Sequence, residues 1–200
     1  SQLGFNDLEQ IRLYAPPSFV PVSASPVAGE PLRIGLCWRG DPNNTFDTGR
    51  DVPLYLLKPL TEMKGVIVTS LLDDMTETEC ALAPNLKLSG APGQRVSFAD
   101  MATLIRQQHL VISSDTVWPN LAATFGVPTT MFTLKTPNWR WGLTGDRTSW
   151  YPSMSLVRQA DEGDWSGPVR TVLSAVEKFV VAPALPLSVR SANPRAPTYG

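Results

Sequence analysis

The stretch ISSDTVWPNLAATFG (112–126) carries the clearest chemical signal in the chain: an apolar run stops at Ser-Asp-Thr and an apolar-periodic segment begins at once. A helix N-terminus presents backbone N–H groups with no partner inside the helix and a partial positive charge, so it can hold a phosphate. Asp115 or Thr116 can cap such a helix while the following amides stay open to a ligand. Pro119 falls in the first turn, where a missing N–H costs little. A carboxylate beside a phosphate is repulsive unless it faces a hydroxylated group, and sugar hydroxyls are good donors to it. Two roles therefore stand open for Asp115: a plain helix cap, or a contact to a polyhydroxylated ligand.

Two further loops carry unusual side chains. WRGDPNNTFDTGRD (38–51) is long, polar and glycine-containing, with Arg39 and Arg50 flanking its turn-rich centre. These arginines could pair with a diphosphate or lie in solvent, the commoner fate of an exposed charge. LKTPNWRWGLTGDRTSWYPSM (134–154) holds Trp139, Trp141, Trp150 and Tyr151. Such rings could stack on a base or sugar, or pin a long loop to the core; burying each stabilises by roughly a few kcal/mol, which favours pinning. His109 is the one histidine of the chain and opens an apolar run, which favours a structural role and argues against a histidine-ligated metal. Neither GxGxxG nor GxxxxGK[ST] occurs, so dinucleotide and P-loop binding have no motif behind them.

The elements that must position these loops alternate. LRIGLCW (32–38) and GVIVTSLL (65–72) read as buried strands, LKLSG (86–90) as a weaker third, HLVISS (109–114), VPTTMFT (127–133) and SLVRQ (155–159) as three more. Between them, VPLYLLKPLTEM (52–63) places Leu54, Leu57, Leu60 and Met63 near one helical face, with Pro59 expected to shorten or kink it. Ser97, with Asp100 three residues on, is a capping-box-like start for a helix carrying Met101, Leu104 and Ile105. A helix follows over about 117–125, and DWSGPVRTVLSAVEKFVV carries the last, with Val169, Val172, Leu173, Val176, Phe179 and Val180 in helical spacing. Apolar strands alternating with amphipathic helices predict an α/β fold: a Rossmann-like, doubly wound, mostly parallel sheet with helices on both faces, over 32–181. Ligands of such sheets bind outside the carboxyl ends of the strands, where all three loops lie.

At 200 residues the chain suits one packed domain. Its 19 prolines crowd the two ends, so 1–31 reads as an extended Pro-rich leading segment and 182–200 as an irregular Pro-rich tail. A net charge of −1 gives no broad basic field for nucleic acid or an anionic membrane. Cys37 lies in an apolar run and Cys80 in a polar one, which points to a reducing compartment without a disulfide. No apolar run approaches the ~18 residues of a membrane span, and the cytoplasm is the expected location.

WRGDPNNTFDTGR followed by VPL, then FADMATLIRQQHLVISSDTVWPNLAATFGVP, then PNWRWGLTGDRTSWYPSMSLVRQADEGDW together resemble one domain type. It is the carboxy-terminal nucleotide-sugar-binding domain, one half of the GT-B fold, of bacterial ADP-heptosyltransferase-like glycosyltransferases, nearest the versions fused to tetratricopeptide repeats. The resemblance implies transfer of a sugar from a nucleotide-diphosphate donor, with inversion and without a metal or other cofactor. It implies that Asp115 faces the donor sugar and that Thr116 with the Val117 amide holds the diphosphate. The loop after strand one brings a basic residue to the phosphates, where charge develops on the departing group; Asp47 and Arg50 fit that pattern. Arg39 and Trp139 are the further donor-binding candidates, and no catalytic residue is assigned. The chain departs from its relatives at Asn44 and Thr45, where a histidine and a lysine are usual, and at Trp118-Pro119-Asn120, where Asn120 replaces a histidine. A GT-B enzyme also has an acceptor domain, so an upstream domain or a partner is expected to complete the site. The alternative is a non-catalytic interaction or scaffold module that kept the fold.

Overall fold

In the computed structural model, residues 26, 29–41, 49–90 and 95–181 are described. Most of the two Pro-rich ends lies outside them, as do Asn44, Thr45 and Asp47 in the first loop.

Strand β1 (Leu32–Cys37) lies second from one edge of a five-stranded sheet. Its neighbours are β2 (Val66–Ser70) and β3 (Leu110–Ser114), followed outward by β4 (Thr129–Thr133) and β5 (Met154–Arg158). Every pair is parallel, in registers such as Ile34 against Val68 and against Leu110. A parallel pair needs a crossover, and helices supply it. The strands are buried on both faces, which is why they read as continuous apolar runs.

Helix α1 (Leu54–Glu62) turns Leu54, Leu57 and Leu60 into the core and runs on past Pro59 to Glu62. Helix α3 (Phe98–Arg106) starts as its sequence predicts: Ser97 Oγ accepts from the Asp100 amide at 3.1 Å and donates to the Asp100 carboxylate at 2.7 Å. Helix α4 is Val117–Thr124 and helix α5 is Ser166–Val181. Helix α5 buries Val169, Val172, Val176 and Phe179 along one stripe. The helices form two layers, α1 packing on α5 and α3 on α4.

Two features differ from the sequence reading. LKLSG forms no third strand; Lys87 makes one bridge to Thr69, donating to Val68 O at 2.9 Å and accepting from the Ser70 amide at 2.8 Å. Leu86 is buried but Leu88 is exposed, so only one side chain anchors the stretch to the core. The polar segment before it holds a short helix, α2 (Glu77–Leu82), nucleated by a full capping box between Thr76 and Glu79.

His109 is a satisfied core residue. Its Nδ1 accepts from the Arg33 amide at 3.1 Å, and its own amide donates to Arg33 O at 2.9 Å. Burial, with the charge of Arg33 behind it, pushes its pKa below the usual histidine value, so the ring is neutral.

Candidate functional site

Because β1 pairs with β2 on one side and β3 on the other, the chains leaving β1 and β3 diverge and open a crevice at the carboxyl edge. The two strand ends are tied beneath it. Ser114 Oγ donates to Cys37 O at 3.4 Å, and Ser113 Oγ donates to Ser114 O at 2.7 Å. Cys37 Sγ donates to Arg39 O at 3.3 Å and lies 3.6 Å from Thr116 Oγ1. Burial raises the pKa of this thiol, so it serves as a packed neutral group.

Thr116 stands at the N-cap of α4 in extended conformation, yet its side chain makes no cap bond. Its Oγ1 turns back toward Ser113, 3.3 Å away. Asp115 precedes it. Its Oδ2 accepts a 2.7 Å hydrogen bond from the indole Nε1 of Trp141, and its backbone carbonyl accepts from Arg50 Nη1 at 2.8 Å. Its carboxylate is thus engaged by the tryptophan loop. Inside the helix, Asn120 Nδ2 donates to Thr116 O at 2.7 Å.

Arg50 reaches Asp115 across Gly40. A Cβ at position 40 would collide with the Arg50 guanidinium, so glycine there is what gives the arginine its seat. Arg39 has another fate. It donates to Glu79 at 2.9 Å and pairs with Asp74 at 3.0 Å, while Trp38 Nε1 donates to the same Glu79 oxygen at 2.9 Å. Burial opposes ionisation of Glu79, but the bonds from Arg39, the Thr76 amide and Trp38 outweigh it and hold its carboxyl at about 2. Burial likewise works against the charge of Arg39, and its two carboxylate partners keep it fully protonated. Glu79 was invisible as a site residue; the Thr76-x-x-Glu79 spacing was its only sequence signal.

The tryptophan loop divides its labour. Trp141 is buried beneath Asp115, whereas Trp139 is 78% exposed and meets Trp150 edge-on at 6.1 Å, away from the cavity. Of the two rings in WRW, the one that touches Asp115 is Trp141, whereas the donor-binding candidate chosen from the sequence is Trp139. Arg158 fixes this turn by donating to the carbonyls of Trp141 (2.5 Å), Gly142 (2.9 Å), Thr144 (3.2 Å) and Gly145 (2.7 Å).

These loops enclose a cavity of about 830 Å³ at the carboxyl edge, lined by Arg39, Arg50, Asp115, Thr116 and Val117 together with Trp118, Asn120 and Tyr151. Five of the predicted donor-binding residues thus share one cavity; Trp139 is outside its wall and Asp47 lies outside the described residues. Two solved structures of the E. coli heptosyltransferase WaaC superpose on the chain. The one with ADP gives a TM-score of 0.53 at 15% identity, over 76% of this chain and 45% of that one. The fold is heptosyltransferase-like. The structure with ADP-2-deoxy-2-fluoro heptose gives 0.52 at 10% identity, over 76% and 44%. The chain therefore spans less than half the length of either solved chain, and at such identities the likeness is one of fold. No family model matches the sequence, and no curated protein sequence matches it significantly. Among the described residues no helix is long and apolar enough to cross a membrane.

Proposed function

We propose that the chain is the nucleotide-sugar-binding half of a GT-B glycosyltransferase that takes a nucleotide-diphosphate sugar as donor. The observation that carries this reading is the cavity in the β1/β3 crevice, walled by an α4 N-terminus whose N-cap residue, Thr116, makes no side-chain cap bond. On this reading the diphosphate lies against Thr116 and the Val117 amide, where the helix dipole favours negative charge. Arg50 stands beside it, and Asp115 accepts from hydroxyls of the donor sugar. The charge that develops on the leaving nucleoside diphosphate meets donors already in place, which lowers the barrier without reorganisation.

The solved WaaC structures carry ADP and an ADP-heptose analogue, which makes adenine nucleotide sugars the first ligands to try. The acceptor site and the general base belong, on this reading, to a second domain in a longer protein or a partner. Kinship with the repeat-fused enzymes rests on the combination of SDT with WRW and WYPSM, and the cytoplasm is the proposed location. A thermal-shift series with ADP-, UDP- and GDP-sugars tests the reading, because a ligand that binds only the folded state raises Tm. A rise with at least one sugar nucleotide is expected; no rise with any at millimolar concentration would sink it.

A further inference from the structure

Four arginines line the cavity, and they differ in how far their charge is already engaged. Arg39 is closed between Glu79 and Asp74. Arg50 is bonded to the Asp115 carbonyl. Arg95 lies on the chain beside Val96, whose amide donates to the Asp73 carboxylate at 3.0 Å. Arg140, like Arg95, makes no guanidinium hydrogen bond or ion pair among the described residues, but it alone of the four lies over an aromatic ring, that of Trp141, at 5.2 Å from the centroid.

The backbone that carries Arg140 is fixed. Asn138 Oδ1 accepts from its amide at 3.2 Å, Trp150 Nε1 donates to its carbonyl at 3.1 Å, and Arg158 clamps the residues that follow. The ring beneath its guanidinium is the one bonded to Asp115, directly before the α4 N-terminus. A guanidinium stacked on an indole keeps its planar fork of N–H donors for an anion, and that fork matches phosphate oxygens two at a time. Arg39, by contrast, is neutralised within the protein.

We propose that Arg140 is the diphosphate-binding cation of this cavity, a specificity residue for nucleoside diphosphates. The proposal rests on the nucleotide-sugar reading of the site, and the experiment separates the two. The full chain is titrated with ADP, UDP and GDP by calorimetry, and the tightest binder is then titrated into Arg140→Ala and Arg140→Gln. The unliganded melting midpoint shows that each variant folds, and the glutamine keeps part of the aliphatic stem and a neutral polar head if the alanine does not fold. Both variants are expected to bind at least about threefold more weakly, the range of a partly exposed charge pair, with the gap narrowing as salt is raised. A smaller loss in a folded variant, with the parent still binding, overturns the role of Arg140 and leaves the site reading intact. Failure of the parent chain to bind any of the three diphosphates overturns both.

Discussion

The Nε1 of Trp141 donates a 2.7 Å hydrogen bond to Oδ2 of Asp115, joining the tryptophan loop to the joint between β3 and α4. A bond to a carboxylate in a shielded place is of the strong kind. Trp141→Phe removes the donor and keeps an aromatic ring at the buried position. It is expected to cost about 1–2 kcal/mol of stability and to weaken sugar-nucleotide binding several-fold. Trp139→Phe, at an exposed ring outside the cavity, is expected to change neither. Denaturant melts with calorimetry on both variants check this; equal behaviour of the two would remove Trp141 from any positioning role.

Glu79 gives the pH dependence. Its folded pKa of about 2 lies below the unfolded value near ~4.3, so its stabilising share is full above that value and is lost as the pH falls toward 2. Glu79→Gln is expected to cost about 2 kcal/mol at pH 7, discounted for the solvent the pair still sees, and to flatten the acid limb of the stability curve. Arg39→Ala should mimic that loss of stability, because its guanidinium is bound to Glu79 and Asp74. Unfolding free energies measured from pH 7 down to 3 decide it; an unchanged acid limb in the glutamine variant would refute the pair.

Gly40 offers a test of the Arg50 seat. Gly40→Ala places a methyl where the Arg50 guanidinium now lies, and a long side chain can swing away at little cost. Ligand affinity is therefore expected to fall several-fold while Tm moves by only a degree or so. Loss of Tm with affinity unchanged would contradict the proposed role of Arg50.

Arg158 holds four carbonyls of the turn that carries Trp141. Removing a charged donor from such a cluster leaves those carbonyls to water, so Arg158→Ala is expected to destabilise by about 1–3 kcal/mol. Hydrogen exchange should quicken locally over 141–146, ahead of the sheet. Exchange that rises only with global unfolding would show the clamp to be dispensable.

Much of the architecture was legible because period and burial agree. ISSDTV announced a strand end and a helix start, and the Leu54-Leu57-Leu60 and Val169-Val172-Val176 stripes announced helices that the structure places on the sheet. LKLSG misled because Leu88 looks like a strand residue locally, and only its exposure shows that nothing waits to cover it. In the site, Asp115 was visible from its position, but its partner was not. Trp139 and Trp141 are identical in type and two residues apart, and only the turn geometry around Asn138 decides which one goes inward. Arg39 and Arg50 looked equivalent as well. Their difference lies in Glu79, a residue 40 positions from Arg39 in the chain and brought to it by the fold.

The central claim is that this cavity holds a nucleotide-diphosphate sugar between the α4 N-terminus, Arg50 and Asp115. Calorimetric titration of the full chain with ADP-, UDP- and GDP-sugars, repeated on Asp115→Ala and Arg50→Ala, tests it most directly. The account predicts submillimolar binding of at least one sugar nucleotide, weakened several-fold in both variants. Absence of binding at millimolar ligand, or binding that neither substitution alters, would contradict it.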